Sequence, residues 1–293
     1  MQRLQKPLGR ILRNKTYGVD TMFRIGTNII GIGTSGTNAV AYAKSMGIDG
    51  AGYAGIMSDM ADGFDVHCDG RADFVSVCDS FFVNKNGIAF VVADFADRVV
   101  SSLTWEICAL SKTMGSLTVA VVYMPSSLSS QYGEALEYIE ELHEIADGVV
   151  IINSGYSPDF SCEVYTFLQM LSDALNPEDD RNMSSVEELR EIFTNQRNIY
   201  FASYAGDMLM DGHNYHSEVL SMRLDCQTHI DIATDFAYFI TCGSVLPKEL
   251  KMQYINAVDK KNIAYMPTKR AYVFENNPRL GHSEFVFGVL CSQ

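Results

Sequence analysis

Two uninterrupted apolar runs, residues 88–93 (IAFVVA) and 117–124 (LTVAVVYM), constrain the fold more than any other feature of the chain. A strand with one wet face alternates apolar and polar residues, whereas a strand covered on both faces has no reason to. These runs therefore need cover on both sides. Residues 29–32, 54–57 and 149–152 are shorter stretches of the same kind. Helical patterns lie between them. Residues 39–46 form one, closed by Gly47 as a C-cap. A second starts after Asp94 as N-cap and runs to Met114, with Val99, Leu103, Ile107 and Leu110 at helical spacing. Residues 134–145 form a third. Strand alternating with helix is the pattern of an α/β fold: a parallel sheet with helices on both faces.

The pattern changes after residue 160. Residues 163–175 read as a lone helix, followed by the polar break Asn176-Pro177-Glu178-Asp179-Asp180. A helix follows near 186–193, then an apolar stretch at 199–202. Residues 216–222 fit helix or strand equally. A strand at 236–241, a helix over 247–258 with Pro247 in its first turn, and strands at 263–266, 270–274 and 285–290 complete the chain. This succession predicts a smaller α+β unit.

The net charge of −14 works against binding nucleic acid or an anionic membrane surface. The seven cysteines are scattered without a CxxC, which suits reduced thiols and offers no zinc spacing. His213 and His216 are the nearest thing to a metal pair. They lack a partner acid or cysteine at ligand spacing, so no metal is expected. No apolar run reaches the ~18–20 residues of a membrane span. The start of the chain has no continuous apolar segment of the secretory type, and residues 4–12 read as a short basic amphipathic helix that packs on the body. A cytoplasmic location is expected.

The candidate site lies at Gly31-Ile32-Gly33-Thr34-Ser35-Gly36-Thr37-Asn38, a GxGxxG turn between a strand and a helix. In that context backbone N–H groups at a helix N-terminus converge on a point beyond the strand, where they favour an anion, typically phosphate. Thr34, Ser35 and Thr37 add hydroxyls. Two ligand classes fit the turn. A dinucleotide needs an acid at the end of the second strand for its ribose, and Asp59 is available. A guanine nucleotide is the other.

The run from Gly31 to Val40 resembles the first nucleotide loop of FtsZ, where a glycine-rich stretch leads into Asn-Ala-Val. Ser58-Asp59 stands where that family ends its second strand. The LTVAVV strand with Pro125 behind it, Ile139-Glu140-Glu141-Leu142, Ala146-Asp147 and residues 149–152 resemble FtsZ segments in the same order. Residues 237–243, 248–258 and Asn262-Ile263 resemble its C-terminal part. The chain thus resembles the FtsZ/tubulin superfamily from about residue 25 to 291. The resemblance implies an N-terminal helical extension (1–24), a GTPase-like domain (25–160), a connecting helix and linker (161–180) and a C-terminal α+β domain (181–293).

The departures from the family concern its chemistry. FtsZ and tubulin hold phosphates in a second loop of the form GGGTGTG. Here residues 94–102 (DFADRVVSS) have no glycine, and two aspartates stand where anionic oxygens would go. Each such like-charge contact costs on the order of a few kcal/mol at an effective dielectric near 20. Arg98 offsets part of this without replacing a nest of backbone donors. No glycine-rich γ-phosphate loop lies between Asp59 and Ile88, and residues 126–133 lack the family's ribose-binding glutamate and arginine. Glu163 corresponds to the acid near the base. The catalytic NxDxxD loop has its counterpart in Met183-Ser184-Ser185-Val186-Glu187-Glu188, where Glu188 stands for the second acid and Ser185 replaces the first. A serine does not polarise water as a carboxylate does.

The resemblance therefore implies an FtsZ-like cytoskeletal or cell-division-related protein, a pseudo-GTPase with weak or no hydrolysis. It would act by self-assembly or by association with other FtsZ-like subunits, binding GTP or GDP or no nucleotide. An active GTP-hydrolysing filament protein is one alternative, a Rossmann-type NAD(P)-binding oxidoreductase another, and a regulator of a conventional FtsZ a third. FtsZ proteins reach membrane adaptors through a C-terminal tail. This sequence ends on a strand, so that contact is not expected.

Overall fold

The computed structural model describes residues 21–57, 63–82, 87–155, 159–175, 186–194, 198–207, 235–245, 248–249, 268–275, 280–282 and 284–292. The elements are, in order, β1 (Thr21–Ile32), α1 (Gly33–Ser45), β2 (Ile48–Ile56), β3 (Val66–Cys68), α2 (Arg71–Phe81), β4 (Ile88–Asp94), α3 (Arg98–Thr113), β5 (Leu117–Met124), α4 (Tyr132–Ile145) and β6 (Gly148–Asn153). They continue with α5 (Phe160–Ala174), α6 (Val186–Phe193), β7 (Ile199–Asp207), β8 (Asp235–Cys242), β9 (Thr268–Phe274) and β10 (Glu284–Ser292).

All ten strands join one sheet in the order β3-β2-β1-β4-β5-β6-β7-β10-β8-β9. The first six are parallel, as their apolar runs require. On β4, Ile88, Phe90 and Val92 face a core shared with α1 and α5, while Ala89, Val91 and Ala93 face a second core shared with α2, α3 and α4. Neither face of the strand meets water, so neither needs a polar residue.

The later strands extend the same sheet. β7 pairs parallel with β6 over two residues, Val150 with Ile199 and Ile151 with Tyr200. β10 then pairs antiparallel with both β7 and β8, and β8 parallel with β9. Helix α5 ties the halves together. Every residue from Cys162 to Ala174 is buried, polar ones included. Its Phe167 ring lies 5.7 Å from Phe90 of β4 and 5.5 Å from Phe201 of β7.

Two local expectations change, and one further helix comes into view. Asp94 is not a helix cap: it remains in β4, paired with Tyr123, and α3 starts four residues later. β2 runs from Ile48, well before residue 54, because its earlier residues pair with β1, and β3 joins only at Ala54, Gly55 and Ile56. Residues 71–81 form a helix whose Phe74, Cys78 and Phe81 recur at helical spacing and are buried. The segments read at 4–12, 216–222 and 263–266, and nearly all of 247–258, lie outside the described residues.

Candidate functional site

Strand order reverses between β1 and β4, and a crevice at the carboxyl ends of parallel strands is where such sheets take ligands. The glycine turn sits at that point. Its glycines serve packing first. A Cβ on Gly31 would lie 2.6 Å from the Thr37 Cα, and one on Gly36 would run into the Val92 carbonyl of β4. Gly33 has φ +66°, and a Cβ there would meet the Val100 side chain of α3 at 2.6 Å. The turn therefore brings α1 down onto its own strand and onto β4, with the first turns of α1 and α3 in contact. Thr37 is buried, and its hydroxyl donates to the Gly31 carbonyl at 3.3 Å. Thr34, Ser35 and Asn38 are exposed.

The helix N-termini differ in charge. α1 follows Ile32, has no side-chain cap and has no acid in its first turn. The other four from α2 to α5 each carry a carboxylate. α2 has Asp73 in its first turn, and α4 has Glu134. α3 is capped by Asp97, whose Oδ1 accepts from Val99 N at 2.9 Å and Val100 N at 3.5 Å. α5 is capped by Asp159, whose Oδ1 accepts from Cys162 N at 3.1 Å. A carboxylate in those positions satisfies orphan donors and complements the helix dipole. It also takes the place of any external anion.

The rest of the crevice is acidic. Asp94 turns back on its own loop, accepting from Ala96 N at 3.0 Å. Tyr123 at the end of β5 stacks on Phe160 with centroids 4.6 Å apart. Burial first, then the charges of Asp94, Asp159 and Glu163, push its phenol up to about 12. Glu163 is buried in the first turn of α5, where its Oε2 accepts from the Ser203 hydroxyl of β7 at 3.0 Å. Arg98 is turned away, pairing with Glu134 of α4 at 3.1 Å. The positive charge at this edge is thus already paired with an acid.

No family model and no curated protein matches the sequence. Solved structures do match. A mutant FtsZ of M. jannaschii aligns with TM-score 0.71 at 14% identity, over 92% of this chain and 91% of that one. The fold is that of FtsZ and CetZ. A CetZ from Methanosaeta thermophila gives 0.64 at 14% identity over 92% and 86% of the two chains. CetZ2 of Haloferax volcanii, solved as a GTPγS-bound protofilament, gives 0.67 at 12% identity over 91% and 92%.

On this FtsZ-like fold the structure brings Gly31, Gly33, Thr34, Ser35, Gly36, Thr37 and Asn38 together in one turn, with Glu163 on the helix that crosses beneath. Asp59 lies outside the described residues, as do His213 and His216. Glu188 lies on α6. Among the described residues no cluster of metal-ligating side chains occurs, and no helix is long and apolar enough to cross a membrane. Sequence reasoning missed the capping roles of Asp97 and Asp159 and the Tyr123–Phe160 stack. An acid just before a helical apolar pattern marks both caps, and Asp97 fits that signature better than Asp94.

Proposed function

We propose that this protein is an FtsZ-like cytoskeletal subunit that assembles with itself or with related subunits without turning over GTP. The observation that carries the reading is the contrast between α1 and α3. The α1 N-terminus is free of acid, with two exposed hydroxyls beside it. The adjoining α3 N-terminus is filled by Asp97. Phosphoryl transfer depends on positioned donors and cations around the leaving and attacking oxygens. Asp94, Asp97, Asp159 and Glu163 supply the opposite sign, and Arg98 is committed to Glu134. Retained architecture with a reduced anion site fits a subunit that uses the fold for assembly, with GTP or GDP held weakly at the turn of α1.

The test is sedimentation of the purified protein alone, with GDP and with GTP. Pelleting above a threshold concentration in all three samples is the expected result. A protein that stays in the supernatant at every concentration, alone and with a conventional FtsZ, contradicts the assembly part of the reading.

A further inference from the structure

We infer that residues 3–15 of this chain dock along the outer face of α4 in the same molecule. These residues hold five cations, Arg3, Lys6, Arg10, Arg13 and Lys15, and no acid, in a chain whose net charge is −14. Leu4, Leu8 and Ile11 recur among them at helical spacing and supply an apolar side. The outer face of α4 is the complement. It exposes Glu137, Glu140, Glu141 and Glu144 together with Leu136, and the helix has no lysine or arginine. Glu137, Glu141 and Glu144 have the same spacing as Lys6, Arg10 and Arg13. Glutamates three and four residues apart on one face repel one another, and Glu144 stands in the last turn, where the helix dipole favours a cation. Among the described residues none of these four carboxylates pairs with a cation: Arg98 is taken by Glu134 and Lys112 by Asp147. The neighbouring helices are mixed, with Arg71 against Asp73 and Asp79 on α2, and Arg98 and Lys112 against Glu106 on α3. The segment also reaches. The described chain begins at Thr21, the start of β1, and β1 and β6 belong to the parallel part of the sheet, so both begin at one edge. α4 ends at that edge with Ile145, just before β6 begins at Gly148. Three strand spacings, about 15 Å, separate β1 from β6. Residues 1–20 span up to ~65 Å when extended.

The experiment treats the full chain with a carbodiimide, which condenses a lysine amine with a carboxylate and expels water. Equal parts of isotopically heavy and light protein are mixed beforehand, at low salt and below the concentration at which the protein sediments. Expected are amides joining Lys6 or Lys15 to Glu137, Glu140, Glu141 or Glu144, each between two peptides of the same isotope, and their loss at high salt, where such contacts are screened. No product from either lysine, products chiefly with acids elsewhere, or mixed-isotope products would overturn the proposal, the last by placing the segment on a second copy. Hydrogen exchange gives a reading that does not depend on the reagent. In Glu137→Gln/Glu141→Gln/Glu144→Gln the face keeps its shape and loses its charge. Exposed ion pairs are weak singly, and losing three together is expected to speed exchange across residues 3–15 roughly tenfold, with the amides of α3 unchanged. Exchange over residues 3–15 equal to wild type would overturn the proposal.

Discussion

Replacing Gly36 with alanine ought, on helix propensity alone, to stabilise the protein. Glycine inside a helix costs roughly 1 kcal/mol relative to alanine. At Gly36 the added methyl would run into the Val92 carbonyl oxygen and lie 3.2 Å from its carbon and 3.4 Å from the Ala93 Cα. Ordinary Cβ contact begins at 3.4 Å, and the obstacle is strand backbone, which has no rotamer to escape into. Making room requires lifting α1 off β4. Overpacking of a tight core costs typically ~1–3 kcal/mol, and the upper end applies where neither partner can yield. Set against a propensity gain of ~1 kcal/mol, the expected net loss is about 2 kcal/mol. Gly133 in α4 is the control, because a Cβ there meets nothing within 4 Å. Gly133→Ala is expected to be neutral or to stabilise by up to ~0.5–1 kcal/mol. Urea unfolding followed by circular dichroism reads both variants against wild type. A Gly36→Ala protein as stable as wild type, or more so, would refute the claim that this glycine exists for close packing.

Asp97→Ala removes the cap of α3 and is expected to cost about 1 kcal/mol in the same unfolding assay, with Asp97→Asn close to wild type. Arg98→Ala breaks an ion pair whose arginine is 76% exposed, so an unfolding curve superimposable on wild type is expected. Phe167→Ala empties the aromatic contact between the two halves of the sheet and is expected to cost ~3–5 kcal/mol. The phenol of Tyr123 is raised in the folded state to about 12 from an ordinary 10.0, so the folded chain holds this proton more tightly than the unfolded one. Its contribution is fully present below pH ~10 and is lost as pH climbs toward ~12. Tyr123→Phe should flatten that part of the stability–pH curve, read by thermal melts across the range.

The first half of the fold was legible because its strands are covered on both faces, and that requirement writes itself as unbroken apolar runs. β2 was cut short because IDGAGYAGI is rich in glycine and alanine, which carry little strand preference of their own. Its pairing with β1 carries it back to Ile48. α5 is legible in the sequence as a lone helix, but the burial of its Glu163, Gln169 and Asp173 is not. They are buried because β7, β8 and β9 cover that side, where Ser203 and Thr241 hydroxyls donate to Glu163 and Asp173. That cover comes from residues far along the chain, which local patterns do not report. At the site, the glycine turn was visible in the sequence, and so were Asp94 and Asp97. That Asp97 and Asp159 cap α3 and α5 required knowing where those helices start.

The most direct test of a retained fold with discarded turnover is release of inorganic phosphate from GTP, measured on the wild-type protein at a concentration where it sediments. The expected result is release indistinguishable from a protein-free control. Release that rises with protein concentration, and is lost in Glu188→Ala, would contradict it.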